Sequence, residues 1–179
     1  APRRAGDLAS PNGKILRLNA DGTTPDDQAG ATPVYSDGFG APGGFDWNPR
    51  SGTLWDADSH RTGASRLRAI VADGGSASAK RRALVEGEYA LPSFTTPSST
   101  VFYRGSLFPA FATSLLVASD EGRHLLRIQL DPRAAAKPVA VERLLQDSVG
   151  GLRAVAIGPE GAIYFATANA IGRLMPDLN

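Results

Sequence analysis

One hairpin pattern occurs twice in this chain, and it constrains the fold more than any other feature. Leu152 to Thr167 reads LRAVAIGPEGAIYFAT: an apolar run, a Gly-Pro-Glu-Gly turn and a second apolar run. Gly44 to Asp58, GFDWNPRSGTLWDAD, has the same layout, with Pro49, Gly52, Leu54 and Trp55 standing where Pro159, Gly161, Ile163 and Tyr164 stand. The flanking runs are rich in Val, Ile, Tyr, Phe and Trp, which suit strands, and the Pro and Gly positions suit turns. A strand–turn–strand unit used twice points to a repeat architecture.

The rest of the chain agrees. Short alternating or apolar runs recur at Lys14–Asn19, Pro33–Tyr35, Arg66–Val71, Val101–Tyr103, Ser114–Ser119, His124–Leu130, Val139–Leu145 and Ala170–Leu174. Asp37–Gly44 holds four glycines and is read as a tightly turning loop. Asp73–Lys80 is read as a loop, and Ala90–Thr100 as an ordered but irregular connection. Ala134–Lys137 has room for one helical turn before Pro138 stops it. About a dozen strands and no amphipathic helix make an all-β chain. Twenty glycines and thirteen prolines, spread along the sequence, fit many tight turns. The length of 179 residues suits one domain, preceded by an irregular arm over residues 1–12.

Composition narrows the function classes. Net charge is +1 with scattered Lys and Arg, so the basic footprint of a nucleic-acid binder is missing. There is no cysteine, which rules out a disulfide framework and thiolate metal sites. No apolar run reaches the ~18 residues of a membrane-spanning helix. A chain that opens Ala1-Pro2-Arg3-Arg4 without Met reads as a processed or trimmed product. No Ser lies in a Gly-x-Ser-x-Gly context, and no glycine cluster leads into a helix as a phosphate loop requires. The two histidines are His60 and His124. His124 sits in an alternating run and is expected to pack or face solvent. Asp56 and Asp58, near a turn, are expected to be solvated. Trp47 and Trp55 are expected in the core, and Arg104, Arg127 and Arg143 are expected to pair with surface carboxylates.

Four segments in order carry a resemblance: Gly13–Gly22, Phe45–Trp55, Phe102–Pro109 running into Ser114–Ala118, and Leu152–Tyr164. Together they resemble the C-terminal half of the soluble PQQ-dependent sugar dehydrogenases, the glucose/sorbosone dehydrogenase family. The resemblance implies a six-bladed β-propeller, of which this chain supplies about three blades, beginning inside a blade. It also implies pyrroloquinoline quinone (PQQ) and calcium at the mouth of the channel, with a catalytic His from the N-terminal half taking the proton from the sugar hydroxyl. His60 falls one residue away from the family's His-Gly pair after the Leu-Trp strand.

The family's cofactor positions are altered here. Where the family reads Gly-His-Arg-Asn-Pro-x-Gly, this chain has Gly38-Phe39-Gly40-Ala41-Pro42-Gly43-Gly44. Where the family has Arg-x-Arg-Asp, this chain has Gly151-Leu152-Arg153-Ala154. Arg153 therefore remains as a residual cofactor contact, without the first Arg or the Asp. A tricarboxylate needs charge-assisted partners, which Gly and Ala do not supply.

No catalytic residue, metal ligand or bound cofactor is thus expected. The leading expectation is a non-catalytic, propeller-derived accessory module making protein–protein contacts. The alternative is part of a PQQ-dependent aldose dehydrogenase, and a third reading is a sugar-binding module using Trp and Tyr faces. Three blades leave the ring open, so a longer polypeptide, a second copy or a different protein partner is expected to cover the exposed faces. The family's habit implies a periplasmic or secreted setting.

Overall fold

The computed structural model describes residues 7, 10–28, 31–59, 64–71, 84–131 and 137–177. His60, the loop at 73–80 and the helical turn at 134–137 lie wholly or largely outside the described residues. Among the described residues, thirteen strands form four antiparallel sheets. β1 (Lys14–Leu16) pairs with β2 (Val34–Asp37). A four-stranded sheet follows: β3 (Pro42–Trp47), β4 (Leu54–Asp58), β5 (Arg66–Val71) and β6 (Leu84–Ala90), hydrogen-bonded in that order. The second has the same order: β7 (Pro97–Phe102), β8 (Leu115–Ser119), β9 (His124–Leu130) and β10 (Pro138–Leu144). The last is three-stranded: β11 (Ala154–Ile157), β12 (Ile163–Ala166) and β13 (Ile171–Leu174).

Each of the three larger sheets is a meander, and their first strands lie against one another, β3 against β7 and β7 against β11. Gly44 shows the closeness: a Cβ there would lie 2.7 Å from Thr100 N, and its φ of +149° suits only glycine. The contacts between first strands run in step. Asp46 reaches Phe102 N, Ser98 reaches Leu152 O, and Ser99 reaches Val155. Three meanders arranged side by side about their first strands are blades of a propeller, here an arc and not a closed ring.

Two apolar seams join the blades. Trp55, Ala57, Leu67 and Ala69 from the first complete blade pack on Phe102, Leu115, Val117, Leu126 and Ile128 from the second. Leu116, Ala118 and Leu125 on the other face of the second blade meet Val155, Ile163 and Phe165 of the third. A third cluster, Ile15, Phe39, Leu54 and Ile70, ties the β1–β2 hairpin to the first complete blade. Tyr103 locks the second seam from within: its hydroxyl donates to Gly161 O (2.8 Å) and accepts from Phe108 N (3.0 Å). Asp46 and Arg104 join first-blade and second-blade inner strands as a two-pronged pair (2.6 and 2.8 Å). Partial burial works against the Asp46 carboxylate. The Arg104 guanidinium and the Phe102 and Trp47 amides outweigh it and hold the pKa below its ordinary value.

β6 was not anticipated from sequence, where Glu86, Gly87 and Glu88 interrupt the apolar pattern. It is an outer strand, and residues 87–90 are only partly buried or exposed. Residues 97–100, expected in an irregular connection, begin β7 instead. Pro97 starts that strand, a position that costs no ladder hydrogen bond.

Candidate functional site at the strand-entry rim

Because the first strands β3, β7 and β11 run in step, the loops that enter them gather at one end of the arc. These are residues 38–41, 91–96 and 150–153, with the β8–β9 turn at 120–123 among them. Every cofactor position implied by the sequence falls on this rim.

The loop before β3 is tied down from inside. Asp58, fully buried, accepts from Gly40 N (3.0 Å) and Ala41 N (2.7 Å), and lies 3.5 Å from Arg68 Nη1. Arg68 also donates to Gly38 O (3.0 Å) and to Glu88 (3.0 Å). Its guanidinium stands 5.3 Å from the centre of the Phe39 ring, and Phe39 is only 2% exposed. Phe39 is thus a core residue under the loop. Its side chain is not offered to the channel.

Asp56 and Asp58 are not the solvated loop carboxylates that the sequence suggested. Both lie in β4 and are 0% exposed, because β4 is sandwiched between β3 and β5 and covered by the β1–β2 hairpin. Neither Asp56 oxygen has a hydrogen-bond partner among the described residues. Burial first, then the charge of Asp58, push the Asp56 pKa up to about 8, against the opposing pull of Arg68. Asp56 is therefore a neutral acid at pH 7.

The loop before β11 keeps one exposed cation. Arg153 is placed by its backbone, N–H to Ala166 O at 2.7 Å, and its Nε stands 3.6 Å from Asp120 Oδ2. Both side chains are about half exposed, so the pair contributes little stability. Gly151, where the family has its first arginine, presses on the same turn. A Cβ there would lie 2.5 Å from Asp120 O, so no side chain fits unless that turn moves.

His124 packs, as expected. It is 1% exposed; Nδ1 faces Gly122 O at 2.8 Å and must donate to it, leaving Nε2 to accept from Thr95 Oγ1 (3.3 Å). Burial pushes its pKa down. Thr96 N donates to Ser119 Oγ and Arg143 donates to Ser93 O, so the β6–β7 loop is held along its length. Arg143 thus caps a loop carbonyl, whereas Arg104 and Arg127 meet the carboxylates of Asp46 and Glu142.

Trp55 is in the core at 0% exposure, stacked on Tyr89, but Trp47 is 51% exposed. The expectation of two matching core tryptophans fails for Trp47. It faces away from the closed seam, toward a place where the described residues put no strand. Toward the opposite end from the rim, a cavity of about 620 Å³ opens between β3, β7 and β11, lined by Phe45, Asp46, Thr100, Arg104, Val155 and Gly158 among others. The strongest charges on its wall, Asp46 and Arg104, neutralise each other.

The sequence matches the Glucose / Sorbosone dehydrogenase family over residues 1–75 and 71–176. The chain belongs to the glucose/sorbosone dehydrogenase family. A comparison with curated protein sequences found no match. Among solved structures, a glucose dehydrogenase is 30% identical, with a TM-score of 0.74 over 96% of this chain and 53% of its own. An oxidoreductase from Thermus thermophilus, described as a glucose dehydrogenase, is 33% identical with a TM-score of 0.70, over 94% of this chain and 52% of its own. The apo aldose sugar dehydrogenase of Escherichia coli has the same fold, with a TM-score of 0.75 at 22% identity, over 96% of this chain and 56% of its own. This family member thus spans about half the length of the structures it matches. No helix among the described residues is long and apolar enough to cross a membrane.

Proposed function

We propose that this chain is a non-catalytic half-propeller, an accessory or scaffold module of the sugar dehydrogenase family that works by protein–protein contact outside the cytoplasm. What carries the reading is the rim. Gly151 presses against Asp120 where an arginine would have to stand, and Phe39 is buried where the family places a polar side chain. The loop N–H groups of Gly40 and Ala41 are consumed by Asp58. Arg153 is the one cation left at the family's cofactor positions, and it leans on Asp120. Two lost charged hydrogen bonds at about 1.5–3 kcal/mol each lower the affinity for a tricarboxylate by orders of magnitude. The residues present therefore do not fit PQQ, and no oxidation step is routed through it.

Calorimetric titration of the protein with PQQ and calcium, followed by dye reduction with aldoses, tests this. The expected result is no saturable heat and no turnover. Micromolar binding with turnover overturns the accessory reading in favour of PQQ-dependent aldose oxidation. That second reading draws on one observation: Arg153 keeps its place and its exposure on the rim, as a residual cofactor contact requires.

A further inference from the structure

His124 sits where three segments of the second complete blade meet: the β6–β7 loop at 91–96, the β8–β9 turn at 120–123 and the stretch after β10 at 145–150. The ring is 1% exposed, and each nitrogen holds a different segment. Nδ1–H donates to Gly122 O in the turn, and Nε2 accepts from Thr95 Oγ1 in the loop. The same two segments are stitched beside the ring. Thr96 N donates to Ser119 Oγ (2.9 Å), Asp120 N donates to Thr96 O (3.3 Å), and a Cβ on Gly122 would overlap Phe94 O. The third segment joins through Gln146 Nε2, which donates to Gly122 O (3.4 Å), and through Asp147 N, which donates to Arg123 O (3.0 Å).

The backbone around the ring is strained. Among the described residues six that are not glycine have a left-handed φ, and four of them stand in these three segments: Phe94 (+61°), Arg123 (+54°), Leu145 (+56°) and Asp147 (+55°). Such residues persist only where their surroundings hold them, and they gather at clamps and switches. One of them is on display. Phe94 is 87% exposed, at the tip of a loop whose neighbours Leu91 and Thr95 are buried.

We infer that His124 is an acid-sensitive clasp on the rim: neutral, it holds the Phe94 loop down on the β8–β9 turn, and protonated, it releases that loop. Imidazolium carries a proton on both nitrogens. Nδ1 goes on donating to Gly122 O, but Nε2 loses its lone pair, and the Thr95 hydroxyl no longer has an acceptor there. The new charge is also shut away from water. Burial is the main cause that pushes the His124 pKa below its ordinary 6.5, and Arg143 on β10 adds like-charge repulsion; the Gly122 carbonyl and Asp147 pull the other way without overcoming them. The other charges on the surrounding segments are engaged elsewhere: Glu121 with Thr96 Oγ1, Arg123 with Asp147, and Asp120 with Arg153. Residues 91–96 and β8 contribute no titratable group. With the folded pKa depressed, the clasp is whole above pH 6.5 and weakens as pH falls below it. Left-handed strain at Phe94 then favours the released loop. The clasp goes beyond the non-catalytic reading and does not depend on what the rim binds.

The chain has two histidines, so His60→Gln leaves His124 as the single imidazole to titrate by NMR. Amide exchange, corrected for the intrinsic effect of pH, is followed on the same chain. The expected result is a His124 titration below pH 6.5, with Thr96 amide protection falling on the same curve by about tenfold between about pH 7.5 and 5. Val117, in β8, keeps its protection throughout. In His124→Gln, which takes up no proton, Thr96 protection stays level across that range. Level Thr96 protection in the His60→Gln chain overturns the inference. So does an equal fall in His124→Gln, or a Val117 amide that loosens together with Thr96. If His124→Gln does not fold, the His60→Gln chain decides alone: coincident ring titration and Thr96 exchange support the clasp, and separate curves overturn it.

Discussion

β4 and β8 hold the same place in successive blades and are both buried at every residue, yet their chemistry is opposite. Register aligns Leu54 with Leu115, Trp55 with Leu116, Asp56 with Val117, Ala57 with Ala118 and Asp58 with Ser119. Val117 lies in the closed seam among Trp55, Ala57 and Leu126, where a methyl-bearing side chain is what the packing accepts. Asp56 lies in the seam whose inner half is open, beside Asp58 and across from Arg68. One blade uses its buried strand for packing, the other as a polar anchor for the rim loop. A carboxylate is tolerated in β4 because Arg68 and the Gly40 and Ala41 amides answer Asp58, and because Asp56 gives up its charge.

That comparison can be broken in four ways, from large effect to small. Moving the carboxylate to the wrong seam should cost most. Val117→Asp buries an acid with no arginine beside it, and urea unfolding should show a loss of about 4–5 kcal/mol or failure to fold. Should it be tolerated, the closed seam is less tightly packed than it looks. Removing the cation comes next: Arg68→Ala strands Asp58 and frees the Gly38 carbonyl, for a loss of about 3–5 kcal/mol in the same assay.

The third change should stabilise. The Asp56 pKa is raised to about 8 in the folded chain, whereas an unfolded Asp titrates near 3.8. Between those pH values the folded state holds a proton that the unfolded state has lost, so stability falls as pH rises through that window and levels off above it. Asp56→Val, which copies the second blade, should leave little change at pH 4 and a gain of about 2–4 kcal/mol at pH 8. A parallel pair of stability–pH curves for variant and parent would show that Asp56 is ionised in the fold. The smallest effect belongs to the open side: Trp47→Ser should change the stability of the isolated chain by less than about 1 kcal/mol, whereas Trp55→Ser, in the closed seam, should cost about 3–5 kcal/mol. Equal losses would mean that the seam at Trp47 is already covered.

Much of the fold was legible because strand propensity and turn chemistry are local. The Pro-x-x-Gly and Pro-x-Gly turns, the apolar runs around them and the Leu-Trp and Ile-Tyr pairs announce hairpins without reference to anything distant. β6 escaped because an outer strand needs little apolar surface, and Glu88 serves it better by meeting Arg66 and Arg68. On the rim, Gly151 and the 39–41 loop were visible as letters that differ from the pattern the resemblance implies. That Gly151 has no room for a side chain, and that Phe39 is a core residue under a guanidinium, required coordinates.

By itself, the sequence determined the all-β blade repeat and the family, since each is written in short stretches whose meaning is carried by neighbours in the chain. Tertiary structure alone decided the state of Asp56, the task of Asp58 and the exposure of Trp47. Each depends on packing that the local sequence does not announce: Arg68 on the adjoining strand, amides 17 and 18 residues upstream, and, for Trp47, a face of β3 that no described strand covers. Burial and charge are properties of the neighbourhood, and a neighbourhood exists only once the blades have packed.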